Sequence, residues 1–235
     1  TVSCAGGARA NISLPVSRHA VYGLCVKLVV DGLAGGHSGV EIDKGRANAN
    51  KVMGEFMSEI KKLMPLCLTG LEGGSKDNAI PRSCEATMVA MGMNLERINT
   101  ITETLQNEIR SNFDEPEAIV RGEDVDALGG NALSATDTDK VIAALNEVPN
   151  GVQSWSEDIE GLVQTSLNLG IMHLDAALEM TFAVRSSLNI EKEALLQQLR
   201  NVAAKYEGNY TQRGEYPAWE YKKDSELRDT MVSAY

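Results

Sequence analysis

Between a predicted strand and the clearest helix of the chain lies Gly32-Leu33-Ala34-Gly35-Gly36-His37-Ser38-Gly39, four glycines in eight residues with one imidazole at the centre. Glycine admits positive φ and lets the backbone come close to a ligand. Held in such a turn, His37 is a candidate catalytic group, able to donate a hydrogen bond to a developing oxyanion. The same residues also fit a phosphate cradle, although the spacing is not G-x-G-x-x-G and no Walker lysine follows, or a surface turn whose histidine is incidental. Ser38 lacks the G-x-S-x-G elbow of a nucleophile. A second polar loop runs from Gly73 to Arg82, where Asn78 is placed to donate its amide to a substrate carbonyl or simply serves the turn before Pro81. Arg185 ends the alternating run Leu178, Met180, Phe182, Val184 on the opposite face, with Glu179 and Thr181. Its planar fork suits a substrate carboxylate, while the strand pattern by itself favours a solvated side.

Metal chemistry has little to work with. The histidines are His19, His37 and His173, the cysteines Cys4, Cys25, Cys67 and Cys84, with no C-x-x-C and no H-E-x-x-H. A standard local zinc site is not expected within the chain, and no residue is assigned as a metal ligand. Scattered cysteines without a signal-like start read as reduced thiols of a cytoplasmic protein. A formal charge of −11 over 235 residues disfavours nucleic acid and anionic membrane surfaces, and no apolar run is long enough to span a bilayer.

The elements that must position these loops alternate between periods of two and about 3.6, as in a mixed α/β (α+β) domain. Strands are predicted at Tyr22–Asp31, Leu66–Glu72, Cys84–Met91 and Glu117–Arg121. Helices fall between them, one over Ala49–Met64 stopped by Pro65 and one carrying Leu95 to Ile109 with Asn94 as N-cap. This βαββαβ order is the split pattern of ferredoxin-like sandwiches. Residues 122–139, rich in Gly, Asp and Ala, read as a linker. Beyond it come a helix around Val141–Leu145, the turn Pro149-Asn150-Gly151, strands at Gly161–Met172 and Ala176–Ser186, a helix capped by Asn189, and a strand at Gly208–Arg213. This second half echoes the first in order of elements. The head, Thr1–Pro15, reads as a separate strand, and the tail from Gly214 as a polar and aromatic segment that starts a helix near Asp224.

Seven segments in order, Cys4-Ala5-Gly6-Gly7, Gly35-Gly36-His37-Ser38-Gly39, Gly45-Arg46-Ala47-Asn48-Ala49-Asn50, Asn78-Ala79-Ile80-Pro81-Arg82, Pro149-Asn150-Gly151-Val152, Thr165-Ser166-Leu167-Asn168-Leu169-Gly170 and Val184-Arg185-Ser186, resemble the aminoacyl-histidine dipeptidases. These are the Xaa-His, carnosinase-like branch of the dinuclear zinc exopeptidases. The resemblance implies a metallopeptidase whose catalytic domain holds a pair of zinc ions outside this chain, and whose inserted lid domain also makes the contacts of a homodimer. It places residues 1–18 as a stub of the catalytic domain, 19–213 as the lid (halves about 19–122 and 136–213), and 214–235 as the start of the returning catalytic domain. It implies that His37 stabilises the oxyanion in the partner subunit's active site, and that Arg185 and Asn78 bind the dipeptide substrate. A non-catalytic ligand-binding or oligomerisation module on the same sandwich is the alternative.

Overall fold

The computed structural model describes residues 3–90 and 95–235, with only the backbone of Leu95. Strand β1 is Gly6–Pro15, β2 Arg18–Asp31, β3 Gly36–His37, β4 Leu66–Gly73, β5 Ala79–Ile80, β6 Cys84–Ala90, β7 Ile119–Leu133, β8 Gly151–Trp155, β9 Val163–Leu174, β10 Ala177–Ser186 and β11 Asn209–Tyr216. The helices are α1 Ala49–Leu63, α2 Leu95–Asn112, α3 Ala135–Glu147, α4 Asn189–Lys205 and α5 Glu226–Ser233. The expected N-cap Asn94 and the end of the expected strand at Met91 lie outside the described residues.

One large antiparallel sheet runs β11-β1-β10-β9-β4-β6-β2-β7, with β8 added beside β9. The stretch β4-β6-β2-β7, crossed by α1 and α2, is a βαββαβ sandwich whose strands in chain order sit 2-3-1-4. The stretch β11-β1-β10-β9 repeats that arrangement as 4-1-3-2, with α3 and α4 as its crossovers. Both ferredoxin-like halves are therefore present. The first strand of the second half is the head of the chain: β1 pairs with β10 from Gly6↔Ser186 to Pro15↔Ala177 and with β11 on its other side. The whole first half is thus inserted between the first strand and the first helix of the second. Periodicity could not reveal this, because 119 residues separate the end of β1 from the start of α3.

The halves meet where β4 pairs with β9 over Leu71↔Leu174, Glu72↔His173 and Gly73↔Met172. Past these pairs the two strands part, and α1 and the 74–79 loop fill the wedge. Alternation sends Val26, Leu28 and Val30 of β2 and Leu178, Met180, Phe182 and Val184 of β10 toward the helices. There they join Val52, Met53, Phe56, Met57 and Ile60 of α1 and Leu195, Leu196 and Leu199 of α4 in one continuous core. Cys67, Val89 and Ala132 form a small cluster on the opposite face. None of α5 is buried.

Two expectations change. Residues 122–139 are not a linker: β7 continues to Leu133, because the early part of β2 (Arg18–Val21) needs a partner and finds one in Gly130–Leu133. The glycines and aspartates that hid the strand sit at its irregular middle, where the register shifts and Gly129 takes φ 99°. Asn189 does not cap α4: Leu188 holds the N-cap position without a side-chain bond, and Asn189 instead accepts the Ala218 N–H at 2.9 Å, tying the tail to the helix.

At the wedge, Gly74 has φ 70° and a Cβ there would lie 2.0 Å from the Gly170 carbonyl oxygen. A left-handed alanine costs about 1–2 kcal/mol and the forced backbone shift about 1–3 kcal/mol more. Gly74→Ala is expected to lower unfolding stability by about 2–5 kcal/mol in urea titrations at unchanged slope. A loss below about 1 kcal/mol would show that the loop and β9 separate freely.

Candidate functional site

The glycine-rich loop leaves β2 and turns back as β3, which pairs with β5 through Gly36↔Ile80 and His37↔Ala79. Gly36 has φ 144° and lies against the Arg46 guanidinium and the Glu41 carboxylate, so a side chain would have no space. A short 3-10 turn, Ile42–Lys44, then leads to Asn48, whose Oδ1 accepts the Asn50 and Lys51 N–H groups at 3.0 and 3.4 Å. The first amides of α1 are thus taken by the chain's own cap, which leaves the phosphate-cradle reading without support.

His37 is exposed, and its ring is fixed from behind. Nδ1 accepts hydrogen bonds from the Gly39 and Val40 N–H groups at 3.0 and 3.3 Å. With Nδ1 an acceptor, Nε2 carries the proton and faces outward as a donor. The His37 backbone is held too, its N–H donating to Glu41 Oε2 at 2.8 Å. That bond, followed by Lys44, pulls the Glu41 carboxyl down to about 2. Because the folded value lies below the unfolded one, this anchor is in place above about pH 4.5 and is lost as pH falls toward 2. A carboxyl-detected NMR titration should place the Glu41 midpoint near 2, and an ordinary midpoint above 4 would mean that the His37 turn is not held this way.

All three residues singled out in the sequence come together. The Ser38 N–H donates to the Asn78 carbonyl at 2.9 Å, placing the second loop directly beside the first. Arg185, on β10, reaches them from the other half: a Cβ on Gly39 would lie 3.0 Å from His37 Cε1 and 3.2 Å from Arg185 Cζ. Gly39 therefore separates the imidazole from the guanidinium with no side chain of its own. Asn78 and Arg185 share a narrow cleft with Arg9, Asp77 and Tyr216. The Arg185 Nε and the Ser38 hydroxyl are buried without a hydrogen-bond partner. Among the described residues no carboxylate pairs with Arg185, whereas Arg9 is neutralised by Asp77. A half-buried, unneutralised guanidinium beside an amide and an imidazole N–H is suited to an anionic, carbonyl-bearing ligand.

Sequence reasoning missed Glu41, the Arg9–Asp77 pair and the buried asparagines Asn48, Asn50 and Asn168. One signal was available: Asn168 stands between Leu167 and Leu169 in a strand otherwise fit for burial, and a buried amide must find partners. Zinc is a different matter. Among the described residues no group of three or more His, Cys, Asp or Glu is placed to hold a metal ion, so these side chains do not fit a zinc site.

Two ferredoxin-like sandwiches share one continuous sheet, and the polar cluster lies at their junction. Residues 30–116 match the family model described as a peptidase dimerisation domain of the M20 type. It is 31% identical to the cytosol non-specific dipeptidase of Escherichia coli (strain K12) over 100% of its own length and 49% of that protein. It superposes on the crystal structure of aminoacylhistidine dipeptidase from Vibrio alginolyticus with a TM-score of 0.89 and 32% identity, covering 100% of this chain and 49% of that one. The chain spans about half the length of these relatives.

Proposed function

We propose that this chain is the lid and dimerisation portion of a cytoplasmic, zinc-dependent dipeptidase that hydrolyses Xaa-His dipeptides and works as a homodimer. The observation that carries the reading is the convergence of His37, Asn78 and Arg185, which three separate chain segments bring to one point. In it, Arg185 takes the free carboxylate of the dipeptide, Asn78 donates to a carbonyl, and the His37 Nε2–H stabilises the oxyanion in the partner subunit's active site. These three residues lie together at one junction, so a partner's site that receives His37 receives the other two with it. The zinc ions belong to residues outside this chain, and the roles assigned here use only groups the chain itself carries. The lid is read as residues 19–213 together with β1 as the first strand of its second half, and the residues before β1 and after β11 as the joins to the catalytic domain. Support for the class comes from the dimerisation-domain match and from the two dipeptidases to which the whole chain is similar. No helix is long and apolar enough to cross a membrane among the described residues.

The test assays the full-length protein on a series of Xaa-His dipeptides, before and after chelation. Hydrolysis that is lost with the chelator and restored by zinc is expected, while the 235-residue chain alone neither cleaves nor retains stoichiometric zinc. Cleavage by this chain alone, or activity indifferent to chelation, would overturn the reading.

A further inference from the structure

The cluster of asparagines in the wedge between the halves is not used by the reading above. Asn168 of β9 is fully buried. Its amide nitrogen donates to the carbonyls of Asp77 at 3.1 Å and Ala79 at 2.8 Å, the residues on either side of Asn78. Its oxygen accepts from Asn48 Nδ2 at 3.2 Å, and Asn48 also caps α1 and donates to the Leu169 carbonyl at 3.1 Å. Asn150 completes the group, its oxygen taking the Leu169 N–H at 2.9 Å and an Asn48 N–H at 3.1 Å. The main chain is equally close here, since a Cβ on Gly170 would stand 2.5 Å from the Asp77 carbonyl oxygen.

Asn78 is therefore straddled: the carbonyls before and after it are held by one side chain from the other half, and its own carbonyl takes the Ser38 N–H next to His37. Asn168 also sits opposite Ala183 in the β9–β10 ladder, two residues from Arg185. A single buried amide thus links the strand pair that carries Arg185 to the segment that carries Asn78 and abuts His37. We propose that Asn168 is a positioning residue, which sets the paired β3–β5 segments, and with them His37 and Asn78, at a fixed distance from Arg185 across the junction of the halves. The inference rests on the reading of those three residues as substrate contacts, but the placement itself is a property of this chain.

Asn168→Asp keeps the volume and the acceptor for Asn48 and replaces the two donated bonds with a carboxylate facing two carbonyls. Asn168→Ser keeps one donor and serves if the aspartate variant does not fold. Amide exchange in the 235-residue chain is the decisive readout. Exchange at Ser38 and Ala79 should accelerate at least about tenfold, while amides of the β1–β10 ladder such as Ile12 and Met180 keep their rates. Uniform acceleration throughout the chain would reduce Asn168 to a stability role, and unchanged exchange at Ser38 would remove the clamp; either result overturns the proposal. In the full-length protein the same variants should lower kcat/KM at least about tenfold with zinc content unchanged. If wild-type full-length protein cleaves no dipeptide, the peptidase reading fails, and the exchange result still decides the clamp.

Discussion

His37→Ala in the full-length protein is expected to lower kcat about 100- to 1,000-fold on Xaa-His dipeptides, with KM and zinc content close to wild type. The magnitude follows from what one preorganised donor contributes to an oxyanion, about 2.7–4 kcal/mol of barrier. The reason to expect the full effect is the ring's preorganisation: two backbone N–H groups already occupy Nδ1, and the peptide N–H of the same residue is anchored on Glu41. Nothing has to reorient when charge develops. Stability should change little, because the ring is exposed and water can take up the Gly39 and Val40 N–H groups that it leaves. An unchanged turnover number would remove His37 from the chemistry, and a loss of zinc would instead make it a ligand. Delivery across the dimer is tested by mixing this variant with a subunit inactivated in its catalytic domain. Mixed dimers regain activity if His37 acts in the partner's site and stay silent if it serves its own.

Much of this site was legible because its signals are local. A histidine among glycines, an asparagine ahead of Ile80-Pro81 and an arginine on the polar face of an alternating strand each announce themselves within ten residues. The elements that depend on neighbours were harder to read. β7 is unrecognisable beyond Arg121 because only its long-range pairing with β2, from Leu28↔Gly122 back to Arg18↔Leu133, supplies the reason for it to be a strand. The head could be seen as a strand but not as the first strand of the second half, since only long-range pairing with β10 and β11 reveals that. Asn189 looked like a cap because its local context fits one, and a tertiary contact with the tail claimed its side chain. The convergence of the three site residues was likewise invisible to spacing: Arg185 is brought to His37 by the antiparallel meeting of β4 and β9, three residue pairs that carry no motif.

The second large effect is expected at Arg185, and it separates binding from chemistry. Arg185→Met preserves most of the side chain's volume and removes the guanidinium. Truncating one partner of a fully buried charge pair costs about 2–5 kcal/mol, and the half-buried setting of Arg185 places it at the low end. KM for dipeptides should therefore rise about 30- to 100-fold with kcat much less affected. Arg185→Lys retains the charge without the planar fork and should recover only part of the loss. The sharper measurement uses a dipeptide amide, which has no terminal carboxylate. Wild-type enzyme should discriminate strongly against it, because the buried Nε and the unneutralised guanidinium would be left facing a neutral group. In Arg185→Met that discrimination should collapse, the acid and the amide being cleaved with similar kcat/KM. Discrimination that survives the substitution would assign carboxylate recognition to the catalytic domain. Arg185 would then be a strand residue whose solvated side happens to lie beside His37.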